Sequence, residues 1–214
     1  MISCFKSIRI KSRDEFDSLI EHLTHEAYRA RDNWEFWGAF EKACDEFPTE
    51  LNQTPAFWEL TRRAHQDVLA LRLGRLYDPH ATAASLGNLL QTMKDNIQHP
   101  GGFFPPELTM LDAQDLEKDI SNVSAHNPTV AKLLTLRNEY LAHRGKVHVQ
   151  KGGFESLPTL VRDEIDSLIG NAIEVLVKYR DRLGYRPLLW GHHEMEEFHS
   201  LLSFLRAGLE TYSR

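Results

Sequence analysis

Apolar positions recur with helical period along almost the whole chain. Between about Ser12 and Phe47, the residues Phe16, Leu19, Ile20 and Leu23 fall at i, i+3, i+4 and i+7, which draws one stripe down a helix. Ser12 followed by Glu15 has the form of a capping box and marks the start. Pro48 marks the stop. Asp32-Asn33 lies inside this stretch. Short polar side chains compete for backbone hydrogen bonds, so a break is predicted there. Thr54-Pro55 opens the next helix, with proline in the first turn, where its missing N–H costs little. That helix carries Phe57, Trp58, Leu60, Ala64, Val68, Leu71 and Leu76 and ends at Tyr77-Asp78-Pro79.

A third helix is predicted from about Ala81 to Gln98, with Leu86, Leu89, Leu90, Met93 and Ile97 as its apolar face. The glycines and prolines from His99 to Glu107 exclude helix and define the clearest loop. Shorter helical material follows from about Leu111 to Val123. Asn127-Pro128 then caps a helix running to about His143. Gly145 to Leu157 reads as a polar connection, with Lys146 to Gln150 the best strand signal in the chain. A long helix spans about Pro158 to Leu183, and a last one runs from about His192 to Tyr212 after a Gly-Tyr-Arg-Pro break. The pattern is all-α, in one domain over residues 1–214, with no internal repeat.

Composition narrows the class. Of the 214 residues, 42% are hydrophobic and 26% charged, ordinary values for a folded domain. The net charge of -6 argues against a long, non-specific nucleic-acid track but leaves room for a local phosphate site. Cys4 and Cys44 are too few for a disulfide framework, which suits a reducing cytoplasm. No stretch approaches the roughly 20 consecutive apolar residues of a membrane helix. A soluble, cytoplasmic protein is expected.

Candidate chemistry concentrates in Leu133-Leu-Thr-Leu-Arg-Asn-Glu-Tyr-Leu-Ala-His-Arg-Gly145. Arg137, Arg144, Lys146 and Lys151 against Glu139 give a local balance of about +3 within an acidic chain. A histidine with an ordinary pKa near 6.5 moves protons at cellular pH, and His143 is placed to do so. An arginine fork suits phosphate oxygens and stabilises charge that builds on them. RNA supplies its own 2'-hydroxyl nucleophile, so this pair is a minimal set for its cleavage. Six helical steps turn Arg137 and His143 roughly 120° apart around the axis and about 9 Å along it. One straight helix does not clamp both onto one phosphate. A two-fold dimer would gather two arginines and two histidines in one cleft. The same residues also suit a plain helix end, with Arg137-Asn138 capping carbonyls and Gly145 closing the turn.

Arg137-Asn138-Glu-Tyr-Leu-Ala142-His143 resembles the Arg-(four to six residues)-His motif of the HEPN superfamily, in which a polar residue follows the arginine. Leu136-Arg-Asn-x-x-x-Ala-His-Arg144 is similar to the abortive-infection, AbiU-type branch. So are the upstream segments Leu73-Gly-Arg-Leu-Tyr-Asp78 and Ala84-Ser-Leu-Gly-Asn-Leu-Leu90. The resemblance covers roughly Leu60 to Leu183. It implies a HEPN-like helical bundle with additional N- and C-terminal helices, usually a homodimer. For many relatives it implies metal-independent endoribonuclease activity in phage-defence or toxin-antitoxin systems, without a cofactor. On that reading Arg137 and His143 are catalytic and Asn138 supports them. Arg144 and Lys146 then hold flanking phosphates of an RNA substrate, and an antitoxin or other defence partner restrains the activity. Some HEPN domains only bind nucleotides or proteins. Gly145 stands where the subset paired with nucleotidyltransferases has tyrosine, which argues against such a partner. Arg75 and Asp78 are expected as a structural ion pair or helix cap, or else as partners of the motif helix.

Other candidates carry less. His192, His193 and His199, with Glu196, and His22 with His25, lack the spacing of a zinc hydrolase and read as solvated histidines. Trp34, Phe36, Trp37 and Phe40 stand among Asp32, Glu35, Glu41, Asp45 and Glu46, so they read as packing residues rather than a base-stacking platform. The loop Gly101 to Pro106 has no phosphate-loop signature, and its phenylalanines are expected to tuck onto the bundle.

Overall fold

A computed structural model describes residues 10–98, 102–104, 113–138, 160–188, 190–191 and 193–212. Among the described residues there are eight helices and no strand, so the fold is all-α. They are α1 (Arg13–Glu46), α2 (Pro48–Leu51), α3 (Pro55–Leu76), α4 (Leu86–Gln98), α5 (Ala113–Asn122), α6 (Pro128–Leu136), α7 (Arg162–Arg182) and α8 (His193–Tyr212). The chain packs as two compact units. One comprises the described residues within Met1–Ala27 and Leu71–Pro187, the other those within Tyr28–Ala70 and Leu188–Arg214. Helices α1 and α3 contribute residues to both.

In the first unit the stripe read from the sequence is the core. Phe16, Leu19, Ile20 and Leu23 are all buried, each stabilising by roughly 1.5–3 kcal/mol relative to exposure. Ser12 Oγ accepts the Glu15 N–H (3.2 Å), and the Glu15 carboxylate reaches back to the Lys11 N–H (2.8 Å). This is the capping box displaced by one residue. Helix α4 buries Leu86, Leu89, Leu90 and Met93 and packs on α5. Its Ile97 is half-buried. The loop phenylalanines tuck back as expected: Phe104 meets Phe16 edge-on, with centroids 4.9 Å apart. Asn127 Oδ1 accepts the Thr129 N–H (2.9 Å) and caps α6. Helix α6 packs on α7, where Lys132 pairs with Glu164 at 2.6 Å. Helix α7 buries Ile165, Leu168, Ile169, Ala172, Val175 and Leu176, and Gly184, at φ 76°, takes the left-handed turn that ends it.

The second unit closes on Phe40, Ala43, Phe47, Leu51, Trp58, Phe198 and Leu202. Of the aromatic series, Phe40 is in this cluster and Phe36 packs against it, while Trp34 and Trp37 are half-buried and meet each other edge-on. Helix α2 packs on α8 and carries Glu50, a buried carboxylate held by Arg206 Nε at 2.7 Å. That pairing holds the Glu50 carboxyl below its ordinary range.

Two local expectations are corrected, and one short element is added. Helix α1 runs unbroken through Asp32-Asn33. Their polar atoms find partners that leave the backbone ladder intact. Asn33 Nδ2 donates to the Arg29 carbonyl (2.6 Å), His65 Nδ1 meets Asn33 Oδ1 (2.9 Å), and Trp190 Nε1 donates to Asp32 Oδ1 (2.9 Å). The helix expected from Ala81 starts instead at Leu86, because Asn88 Nδ2 bonds the carbonyls of His80 and Ala83 and fixes that segment as a turn. Pro48 ends α1 but also opens the single turn α2. The strand signal at Lys146 to Gln150 lies outside the described residues.

Candidate functional site

The site is assembled within the first unit from the last turn of α3 and the end of α6. Helix α6 is held through Leu133 and Leu134, both buried, and delivers Arg137 one residue beyond its last turn. The Arg137 N–H still bonds the carbonyls of Leu133 and Leu134. Its guanidinium is engaged on two sides. Nη1 lies 2.8 Å from Asp78 Oδ2 and donates to the Gly74 carbonyl at 3.0 Å. Nε and Nη2 both donate to Asn138 Oδ1, at 3.1 and 3.0 Å. The pair is only partly exposed, 21% for the Arg137 side chain and 25% for Asp78, so bulk water screens it incompletely.

Gly74 makes this approach possible. A Cβ at that position would stand 2.7 Å from Arg137 Cδ and 3.1 Å from Cγ. Glycine in a helix interior costs up to about 1 kcal/mol against alanine, so its presence there has a packing reason. The flanking residues anchor the same turn. Leu73 and Leu76 are buried, and the buried Tyr77 donates its hydroxyl to the Leu168 carbonyl of α7 at 2.6 Å. Burial raises the Tyr77 pKa well above that of a free phenol, so the donor proton stays in place. Asp78 Oδ1 accepts the His80 N–H at 2.9 Å, leaving Oδ2 directed at Arg137.

The structure therefore brings together Arg137, Asn138 and Asp78. The pairing of Asp78 with the motif helix, which the sequence left beside a cap or a local ion pair, is the arrangement present. Asp78 also caps the turn through His80. Arg75 takes no part, and no ion-pair partner for it is found among the described residues. Gly74 was missed as a site residue; the signal was an isolated glycine between Leu73 and Arg75 inside an apolar stripe. His143, Arg144 and Lys146 lie outside the described residues. Among the described residues, no three histidine, cysteine or acidic side chains are grouped as metal ligands. No helix of the described residues is long and apolar enough to cross a membrane.

An all-helical fold in which Arg137, just after α6, is braced by an upstream Gly-Arg-Leu-Tyr-Asp turn has the features of a HEPN-type domain. The AbiU2 family model (HEPN_AbiU2) matches residues 13–201, and the chain belongs to that family. The match extends well beyond the Leu60 to Leu183 stretch that carried the resemblance, into α1 and α8. No curated protein and no solved structure matches the chain.

Proposed function

We propose that this protein is a metal-independent endoribonuclease of a phage-defence or toxin-antitoxin type system, acting through Arg137 and His143 as a homodimer. The supporting observation is the brace on Arg137. A guanidinium held by Asp78 and the Gly74 carbonyl loses little further freedom when it meets a phosphate. Asn138 Oδ1 is the exchangeable partner, since a phosphate oxygen can replace it at Nη2 and Nε.

In the proposed reaction the RNA 2'-oxygen attacks the adjacent phosphorus while a neutral His143 takes its proton. The bond to the 5'-oxygen breaks, and a protonated His143 of the second copy supplies the proton that oxygen needs. The products are a 2',3'-cyclic phosphate and a 5'-hydroxyl, with charge balanced throughout. Arg137 stabilises the extra negative charge on the pentacoordinate phosphorus oxygens. Arg144 and Lys146 hold flanking phosphates. An antitoxin or another defence partner restrains the activity.

The test is RNA cleavage by purified wild-type protein in excess chelator, beside His143→Ala. Cleavage by wild type alone, with cyclic phosphate ends, is the expected result. Equal cleavage by the variant, or cleavage only with added metal, overturns the reading. A second reading is a non-catalytic HEPN module that binds a nucleotide or protein. It is favoured by one observation: Nη1, Nη2 and Nε of Arg137 are already engaged by Asp78, Gly74 and Asn138, as in a structural pin.

A further inference from the structure

The last turn of α3 also borders a surface pocket of about 230 Å³ in the first unit. Leu23, Leu76, Ala83 and Ala84 give it aliphatic walls, and His22, Glu26, Arg75 and Asp78 supply polar groups. Asp78 is the carboxylate that braces Arg137, so the pocket adjoins the candidate site.

The charges around it are unequal. Each of its two carboxylates already has an arginine: Glu26 meets Arg72 at 2.6 Å and Asp78 meets Arg137 at 2.8 Å. Arg75 is exposed and has no ion-pair partner among the described residues. The lining itself holds one arginine, Arg75, and two carboxylates, and Arg72 and Arg137 offset the charge of those two from outside it. A pocket with apolar walls and a cation unpaired among the described residues calls for a ligand with an apolar face and an anion. Its volume is below the roughly 300–1,000 Å³ of sites for drug-sized ligands, so a nucleotide would fill it with its base and part of its ribose and leave the phosphate outside, at the exposed Arg75.

We propose that this pocket is a nucleotide subsite. It takes the base and ribose of an RNA residue flanking the scissile phosphate against Leu23, Leu76, Ala83 and Ala84, with that residue's phosphate on Arg75. The proposal rests on the ribonuclease reading, but its test does not need cleavage.

The probes are the four nucleoside 5'-monophosphates and the corresponding nucleosides, titrated into the full chain and followed by NMR chemical shifts. At least one monophosphate is expected to bind roughly tenfold more tightly than its nucleoside, the size of one charge-assisted hydrogen bond. Arg75→Ala should bring that monophosphate down to the affinity of the nucleoside. Ala84→Trp fills the pocket from an exposed turn position and should abolish both, with the thermal midpoint checked to confirm folding. No binding by any of the four up to about 10 mM, or binding unaltered in both variants, overturns the proposal. Normal chelator-resistant cleavage alongside either result removes the pocket alone. Binding as expected without cleavage removes the nuclease reading alone.

Discussion

Arg137 lies across Gly74, so close that the smallest side chain there would stand 2.7 Å from Arg137 Cδ. The guanidinium beyond that point is fastened to the Gly74 carbonyl and to Asp78. The stem therefore cannot move aside without disturbing its head. Helix α3 gives up helix propensity at this residue and gains a seat for an arginine from α6.

Gly74→Ala separates stability from site geometry. Alanine favours the helix by up to about 1 kcal/mol, which offsets much of the cost of moving Arg137. The urea midpoint should change little. RNA cleavage should fall by about tenfold or more, since small misplacements of a reacting group have large effects. Denaturation and cleavage measured on the same preparation check both halves.

Asp78 and Arg137 should be energetically coupled. A double-mutant cycle with Asp78→Asn and Arg137→Gln should return an interaction of about 1–2 kcal/mol, above the value of an exposed pair because both side chains are largely covered. Urea unfolding of the four proteins gives the coupling. An additive result would mean the pair is no more than a surface contact.

Tyr77→Phe removes the buried hydroxyl that reaches the Leu168 carbonyl. The hydroxyl's hydrogen bonds, to the Leu168 carbonyl and with the Asn171 side chain, are lost with little change of shape. Stability should drop by about 1 kcal/mol, read as a lower thermal midpoint.

His65 makes the second unit sensitive to mild acid. Its ring stacks on Phe36 with centroids 3.9 Å apart, and burial lowers its pKa. The unfolded chain then takes up a proton first as pH falls. Stability is full above about 6.5 and declines below it, until the folded-state pKa is passed. His65→Phe should keep the stacking and flatten the change in urea midpoint between pH 7 and pH 5.

The helices were legible because their signals are local. Phe16 to Leu23 reveals its own face, and Asn127-Pro128 caps the helix it begins. The continuity of α1 through Asp32-Asn33 was not legible, because the partners that satisfy those residues, His65 and Trp190, are remote in sequence. The candidate site divides in the same way. Arg137 and Asn138 stand out as polar residues at the end of an apolar helix. Asp78 as their partner is a long-range pairing, and nothing in its own neighbourhood separates it from an ordinary cap. Gly74 was visible as a letter, but its reason is an arginine delivered by another helix.

Gly74, Tyr77 and Asp78 all belong to the final turn of α3 and its exit; Gly74 and Asp78 meet Arg137, and Tyr77 meets Leu168 of α7. Adding or deleting one residue earlier in α3 would rotate that turn by about 100° and take all three off their partners at once. Changes in chain length should therefore be penalised just before Gly74, where one inserted residue disturbs packing, brace and anchor together.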